Sequence, residues 1–348
     1  MNLENYQVLA KMETQRAFEF KNEKLYIIDQ TKLPLIEEFI ITDDYERIAA
    51  AIERLEVRGA PAIGVTAAYG LALSLKNIPK ENYSDVFEKA YRRLASTRPT
   101  AVNLFYALNE IQKEFYEKKN EADIYNLLIS KAVSIHRKDV ELCDSIANTG
   151  LNIFSKKSKV LTHCNTGALA TSGDGTALNI IRKAYEAGLV EHVHVDETRP
   201  LLQGSRLTAW ELNKLGIPFS INADSTAAFL MQQNKVDLVI VGADRIAING
   251  DAANKIGTYN LAVLCNFHKI PFYIAAPTTT IDKSCRNGDE IKIELRNKKE
   301  LNHFNNQLIT KEEYQAYTPA FDVTPSNLIT AIVTEKTLFK PPFDFKNV

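Results

Sequence analysis

From about residue 158 onward one unit recurs along the chain, a short apolar run followed by a polar break and then a segment long enough for a helix. The runs are Val160-Leu161-Thr162-His163, Val193-His194-Val195, Phe219-Ser220-Ile221, Leu238-Val239-Ile240-Val241 and Phe272-Tyr273-Ile274-Ala275. Candidate helices lie between them at about 176–187, 205–215, 225–233 and 257–268. Strands buried on both faces read as unbroken apolar stretches, and single helices between them return the chain to the same end of a sheet. The pattern predicts a doubly wound parallel α/β sheet, and right-handed crossovers set all its strand ends along one edge.

The first part of the chain follows another rhythm. Ala17–Phe20 and Lys24–Ile28 flank the polar Lys21-Asn22-Glu23 and predict a small β-hairpin. Asp43 and Glu46 have capping-box spacing, and Ile48, Ile52 and Leu55 recur at helical intervals, so a helix is expected to about Val57. Arg58-Gly59-Ala60-Pro61 then punctuates the chain ahead of the Ala-rich segment Ala62–Leu75. Arg98-Pro99-Thr100 does the same before a periodic stretch from Val102 to Tyr116, with Thr100 as the expected cap. At 348 residues the chain exceeds what one core usually spans. Two domains are expected: a mainly helical one over 1–150 and the parallel-sheet domain over 151–348. Lys283–Glu313 reads as a surface excursion before a last helix at about Ser326–Glu335.

Composition limits the possible functions. Apolar residues make up 45% and the formal net charge is −1, from 42 basic and 43 acidic residues, so no general field attracts nucleic acid or an anionic membrane. The start lacks the basic and apolar regions of a signal peptide, and no stretch of about 18 apolar residues occurs, so the cytoplasm is the expected compartment. Cys143, Cys164, Cys265 and Cys285 form no C-x-x-C pair and have no histidine at zinc spacing, so no metal is expected. Neither a G-x-G-x-x-G after the first run nor a G-x-x-x-x-G-K-[ST] is present, so a dinucleotide or nucleoside triphosphate is not signposted.

Ligands of open parallel sheets bind beyond the carboxyl ends of the strands, so the residues just after each run are the place to look for chemistry. These are Cys164-Asn165-Thr166-Gly167, Asp196-Glu197-Thr198-Arg199, Asn222 with Asp224 and Ser225, and Gly242-Ala243-Asp244-Arg245. Cys164 and Asp244 are the candidates for one site. Read alone, Cys164 equally suits apolar packing and Asp244 a helix cap. Amides of the turn containing Gly167 would favour a thiolate at Cys164. Neighbouring residues of a strand face opposite ways, which assigns His163 to packing or support and argues against a Cys-His dyad. An anion such as phosphate would find donors at Arg58-Gly59-Ala60, at Arg98 and at Asn254-Lys255, each near a helix start. Gln203, opening another helix, offers an amide to hydroxyl groups.

These residues lie in longer strings. Val57-Arg58-Gly59-Ala60-Pro61-Ala62-Ile63-Gly64, Ser96–Leu104, His163-Cys164-Asn165-Thr166-Gly167-Ala168-Leu169-Ala170-Thr171, Glu197-Thr198-Arg199-Pro200, Gln203–Leu212, Val241–Ile246, Asn249–Tyr259 and Pro319–Pro325 together resemble the methylthioribose-1-phosphate isomerases. The resemblance runs from about residue 15 to Phe339. It implies a helical N-terminal domain joined to a Rossmann-like domain, a cytoplasmic homodimer, no cofactor, and conversion of 5-methylthioribose 1-phosphate to the ribulose 1-phosphate in methionine salvage. It also implies that Cys164 and Asp244 are the catalytic pair, with Asp244 the proton donor, and that Arg58, Gly59, Ala60, Arg98, Gln203, Asn254 and Lys255 bind substrate. Two positions depart from the family: Ala252, commonly Thr, and Asp196, often Cys, both expected near the site and to bear on substrate preference.

Two rivals remain open at this point. 5-Deoxyribose 1-phosphate has an equally apolar C5 substituent, with ribose 1,5-bisphosphate as a third substrate to compare. The regulatory subunits of the translation-initiation exchange factor share the fold and act by association, but generally do not keep the Cys and Asp together. A sugar phosphorylated at its anomeric oxygen cannot open by losing the anomeric proton, so the ring C–O bond must itself be broken. Proton transfer through an enol and a hydride shift from C2 to C1 both satisfy that requirement.

Overall fold

The computed structural model describes residues 16–99, 101–304, 307–346 and 348. At the N-terminal end β1 (Phe18–Lys21), β2 (Lys24–Ile28) and β3 (Phe39–Thr42) form an antiparallel three-stranded sheet, so the expected hairpin gains a third strand. Helices Tyr45–Glu53, Ala60–Leu73, Tyr83–Ala95, Val102–Lys118 and Ile124–Gly150 follow. The second of these is the hub: every residue from Ala62 to Leu73 is buried, because its small side chains let neighbouring helices approach from all sides. Phe87 and Phe115 stack across two of those neighbours with ring centroids 4.0 Å apart.

Two boundaries differ from expectation. The first helix is capped by Asp44, whose side chain accepts from the Glu46 amide, while Asp43 pairs instead with Lys76 at 2.9 Å. That helix stops at Glu53 and not near Val57, because Leu55 takes φ 60°, and the chain turns there toward Arg58. The expected cap at Thr100 lies outside the described residues, and Ala101 precedes the helix.

The second part builds the parallel sheet from β4 (Ser158–Thr162), β5 (Val190–Asp196), β6 (Phe219–Asn222), β7 (Leu238–Val241), β10 (Phe272–Ala275) and β15 (Ala331–Val333), closed by antiparallel β16 (Leu338–Phe339). Their order is β16-β15-β10-β7-β4-β5-β6. Strands β5 and β6 extend to one side of β4, and the chain then returns to lay β7 on its other side, with Val160 opposite Leu238 and Leu161 opposite Val239. Strand order therefore reverses between β4 and β7, the crevice where such sheets accept ligands. Leu161, Val239, Val241 and Ile274 fill one face of the sheet, and Val160, Val193, Ile240 and Ala275 the other.

A smaller sheet hangs beyond that edge, made of β8 (Arg245–Ala247), β9 (Ala252–Lys255), β11 (Ile281–Asp282) and β14 (Phe321–Thr324). The turn between β8 and β9 carries Asn249-Gly250, with Gly250 at φ 87°, a pairing that favours a tight antiparallel return. Lys283–Glu313 is only partly the surface excursion expected, since it ends in a short helix and the β12 (His303–Phe304) and β13 (Gln307–Leu308) pair. The last helix expected at Ser326–Glu335 is absent: one 3-10 turn over Ser326–Leu328 leads into β15. Ile329, Thr330, Ile332 and Val333 are β-branched, and the edge of β10 offers them a ladder.

Candidate active site

The switch point opens into a cavity of about 140 Å³, lined by residues from both parts of the chain. All nine residues singled out from the sequence border it: Arg58, Gly59, Ala60, Arg98, Cys164, Gln203, Asp244, Asn254 and Lys255. Four pieces of backbone bring seven of them together, and Arg98 and Gln203 join from the starts of two further helical segments. The turn after β4 carries Cys164, and the turn after β7 carries Asp244. The β8–β9 return lays Asn254 and Lys255 beside Asp244, whose amide donates to the Ala253 carbonyl at 2.9 Å. The helix that starts at Ala60 points its first turn inward, where the opening amides have no partner within the helix.

Gly59 makes that last approach possible. It holds φ 95°, and a Cβ there would lie 2.2 Å from the Ala170 carbonyl oxygen, so the helix start and the Cys164 turn touch backbone to backbone.

Cys164 is buried and held at φ 63°, a left-handed position that cysteine rarely takes. Its amide donates to Thr198 Oγ1 at 2.8 Å and its carbonyl accepts from Thr208 Oγ1 at 2.6 Å. Its sulfur faces Arg58 Nη2 at 3.6 Å. Two amides of the turn are engaged elsewhere, that of Ala168 donating to Glu211 Oε2 at 2.6 Å and that of Ala170 to the Gly167 carbonyl. The charge beside the sulfur is the Arg58 guanidinium. His163 forms no dyad with Cys164, as expected from its place next in chain. It lies just past the end of β4, Nδ1 3.1 Å from Asp196 Oδ2 and Nε2 2.9 Å from the Ile256 carbonyl, which requires a proton on Nε2.

Asp244 is set differently. Burial pushes its carboxyl above the usual carboxylate range, while Lys255, Arg98 and Arg58 pull the other way. Lys255 itself is pushed down by burial, a shift that Cys164 and Asp244 oppose. Its Nζ donates to the Ala320 carbonyl at 3.0 Å and sits 4.7 Å from the Phe321 ring centroid. Asn254 donates to Thr258 Oγ1 at 2.9 Å. Gln203 lines the cavity and is buried, and among the described residues its Oε1 has no hydrogen-bond partner.

Three lining or supporting residues escaped the sequence reading. Arg296 and Glu294 come from the segment taken for surface excursion: Glu294 bridges Arg98 at 3.4 Å and Arg296 at 2.8 Å, and both line the cavity. Charged residues in a polar stretch carry no signal that marks them as site residues. Glu211 lies behind the Cys164 turn, accepting from Asn165 Nδ2 at 2.7 Å, and burial pushes its carboxyl up to about 7. A glutamate inside an otherwise apolar helix run, Ala209-Trp210-Glu211-Leu212, was the available clue. Neither departure from the family pattern borders the cavity. Ala252 packs into the sheet core with Val241 and Ile246, and Asp196 is spent on His163 and Asn222. Among the described residues His163, Asp196 and Asp224 bring potential metal-ligand atoms within 4.8 Å of one another. They read as a hydrogen-bonded brace: Asp224 accepts from the amides of Thr198 and Arg199, both at 2.7 Å.

Sheet order and site together define a Rossmann-like α/β protein whose switch point gathers a thiol, a carboxyl and several cations around one small cavity. Residues 56–341 match the model of the initiation factor 2 subunit family. The chain is 49% identical over 330 residues to a methylthioribose-1-phosphate isomerase of Caldicellulosiruptor saccharolyticus, covering 94% of this chain and 96% of the relative. Its fold matches a crystal structure of 5-methylthioribose 1-phosphate isomerase from Pyrococcus horikoshii OT3 with a TM-score of 0.90 at 43% identity, over 95% of this chain and 94% of that one. A structure of translation initiation factor eIF-2B, subunit delta, from A. fulgidus matches with a TM-score of 0.84 at 39% identity, over 94% and 97%. The chain belongs to the methylthioribose-1-phosphate isomerase branch of the initiation factor 2 subunit family.

Proposed function

We propose that this protein is an aldose–ketose isomerase that converts 5-methylthioribose 1-phosphate to 5-methylthioribulose 1-phosphate. The observation that carries the reading is that Cys164 and Asp244, from adjacent strands β4 and β7, border one cavity with Arg58, Arg98 and Lys255. The cations and the opening amides of the Ala60 helix suit the phosphate, and the unpartnered Gln203 Oε1 suits a sugar hydroxyl.

In this reading Asp244, whose carboxyl burial raises above the usual range, gives its proton to the ring oxygen as the C1–O bond breaks. Cys164, as thiolate beside Arg58, removes the C2 proton, and the electron pair forms the C1=C2 bond of an enol phosphate. The C2 hydroxyl proton then returns to the Asp244 carboxylate while Cys164 delivers a proton to C1, which restores both groups and yields the ketose. A hydride shift from C2 to C1 needs the same acid but no base at the C2–H bond, the C2 hydroxyl proton passing to the Asp244 carboxylate that the ring opening left. Running the reaction in heavy water separates the routes, since solvent deuterium at C1 of the product marks proton transfer.

The deciding assay compares kcat/KM for 5-methylthioribose 1-phosphate, 5-deoxyribose 1-phosphate and ribose 1,5-bisphosphate. The methylthio sugar is expected to lead, and the bisphosphate to trail because an apolar C5 pocket leaves a second phosphate desolvated and unpaired. Leadership by the deoxy sugar reassigns the substrate. Turnover of none of them, with stable capture in a larger protein assembly, favours the association role that the name of the A. fulgidus relative carries.

Two further expectations belong to the same reading. The protein works in the cytoplasm; among the described residues no helix is long and apolar enough to cross a membrane. It acts as a homodimer, and Tyr259, Val263 and Phe267, at i, i+4 and i+8 of one helix and all exposed, supply an apolar stripe for a partner. Light scattering of the wild type and of Phe267→Asp tests this.

A further inference from the structure

Glu211 sits in the short helix Ala209–Lys214 at 2% exposure, and the chemistry above makes no use of it. A carboxyl that deep survives only if its oxygens are satisfied. One oxygen accepts from the Ala168 amide at 2.6 Å and the other from Asn165 Nδ2 at 2.7 Å. In its ionised form, which the Asn165 and Ala168 donors favour against burial, the carboxylate only accepts and so turns the NH2 side of Asn165 inward, where Nδ2 also meets Thr208 Oγ1 at 3.2 Å. The oxygen side of that amide is then left facing the cavity, and Asn165 Oδ1 receives Arg58 Nη1 at 3.3 Å. A guanidinium is a rigid planar fork, so fixing Nη1 also fixes Nη2, which lies 3.6 Å from the Cys164 sulfur.

We propose that Glu211 is a positioning residue which, through the Asn165 side chain, sets the Arg58 guanidinium against the Cys164 thiol. A second observation supports a carboxylate at this point. A Cβ on Gly167 would lie 2.1 Å from Glu211 Oε2, so the bare glycine in the turn after β4 is what admits the carboxylate to the back of the site. Glutamine fits the same space but brings an N–H toward either the Ala168 amide or the Asn165 NH2. One of the two bonds is lost, or Asn165 flips and presents its NH2 to Arg58. Thr208 extends the grip to the reacting residue, since the hydroxyl that accepts from Asn165 donates to the Cys164 carbonyl.

The proposal rests on Cys164 being the reacting thiol, so its test reads the thiol separately from turnover. Glu211→Gln is made in the wild type and in an Arg58→Met background. In each protein the alkylation rate of Cys164 by iodoacetamide is followed by peptide mass spectrometry, alongside kcat/KM. In the wild-type background the substitution is expected to slow alkylation about threefold or more and to lower kcat/KM about tenfold or more. In the Arg58→Met background both losses shrink to within about twofold, because the group being positioned is gone. Equal losses in the two backgrounds assign Glu211 to general packing and overturn the proposal, as does a wild-type alkylation rate in Glu211→Gln. If Glu211→Gln does not give a native circular dichroism spectrum, the same cycle with Asn165→Ala decides by the same criteria, since it cuts the relay while leaving Glu211 on Ala168. Slower alkylation in a protein that isomerises none of the three sugars upholds the relay and removes only the isomerase reading.

Discussion

The two loops that meet at the switch point are built on opposite plans. Around Cys164 nearly everything is contact: the backbone is held at φ 63° by Thr198 and Thr208, the neighbouring Asn165 and Ala168 by Glu211, and the sulfur faces Arg58. Around Asp244 the control is field. Burial raises its carboxyl, Lys255, Arg98 and Arg58 moderate that rise, and among the described residues none donates a hydrogen bond to it. The difference follows from what each group has to do. A base that must reach one C–H bond needs direction, whereas an acid that must keep a proton near neutral pH needs a water-poor surrounding more than a fixed partner.

This contrast can be broken by substitution. The largest effect is expected at the reacting groups themselves: Asp244→Asn and Cys164→Ser should each lower kcat about 10²–10⁴-fold with much smaller changes in substrate binding, measured by steady-state kinetics and calorimetry. A near-native kcat in either variant removes that residue from the chemistry. A moderate effect of a different kind is expected for Lys255→Met. Lys255 favours the ionised form of Asp244, and the ionised form is the inactive acid, so activity falls as pH rises through the Asp244 pKa. Removing the ammonium should carry the alkaline limb of the kcat/KM profile to higher pH. A limb that stays put, or moves down, shows that some other group governs it. Changes in the helices packed around the hub should touch turnover least. Phe115→Ala, which removes one of two stacked buried rings, should cost about 3–5 kcal/mol of stability in denaturant titration. Its kcat per folded molecule should remain close to that of the wild type, and a large fall in kcat below the unfolding range would mean that the helices do more than hold Arg58 and Gly59 in place.

Much of the sheet was legible because its strands are buried on both faces, so apolar runs such as Leu238–Val241 stand out and the polar residues after them mark the ligand edge. The family strings then singled out nine positions, and all of them border the cavity. What stayed hidden depends on contacts between distant segments. Nothing local distinguishes Arg296 or Glu294 from the lysines and glutamates around them, and only the fold turns that polar stretch inward. Glu211 looked like one polar residue on a helix, although its oxygens meet groups more than forty positions away. Ile329–Val333 misled for another reason. A short apolar run suits helix or strand alike, and the open edge of β10 decides. Asn249-Gly250 was readable as a hairpin turn, whose register sets Asp244 opposite Asn254 and one residue from Lys255.

A crystal structure with the ketose phosphate bound puts the convergence of thiol and carboxyl to the test. The Cys164 sulfur is expected beside C1 and C2, and the Asp244 carboxyl within about 3.2 Å of the oxygen released from the ring, with the phosphate among Arg58, Arg98 and Lys255. A sugar that lies outside this cavity, or that touches one of the two groups while the other faces away from it, contradicts the mechanism.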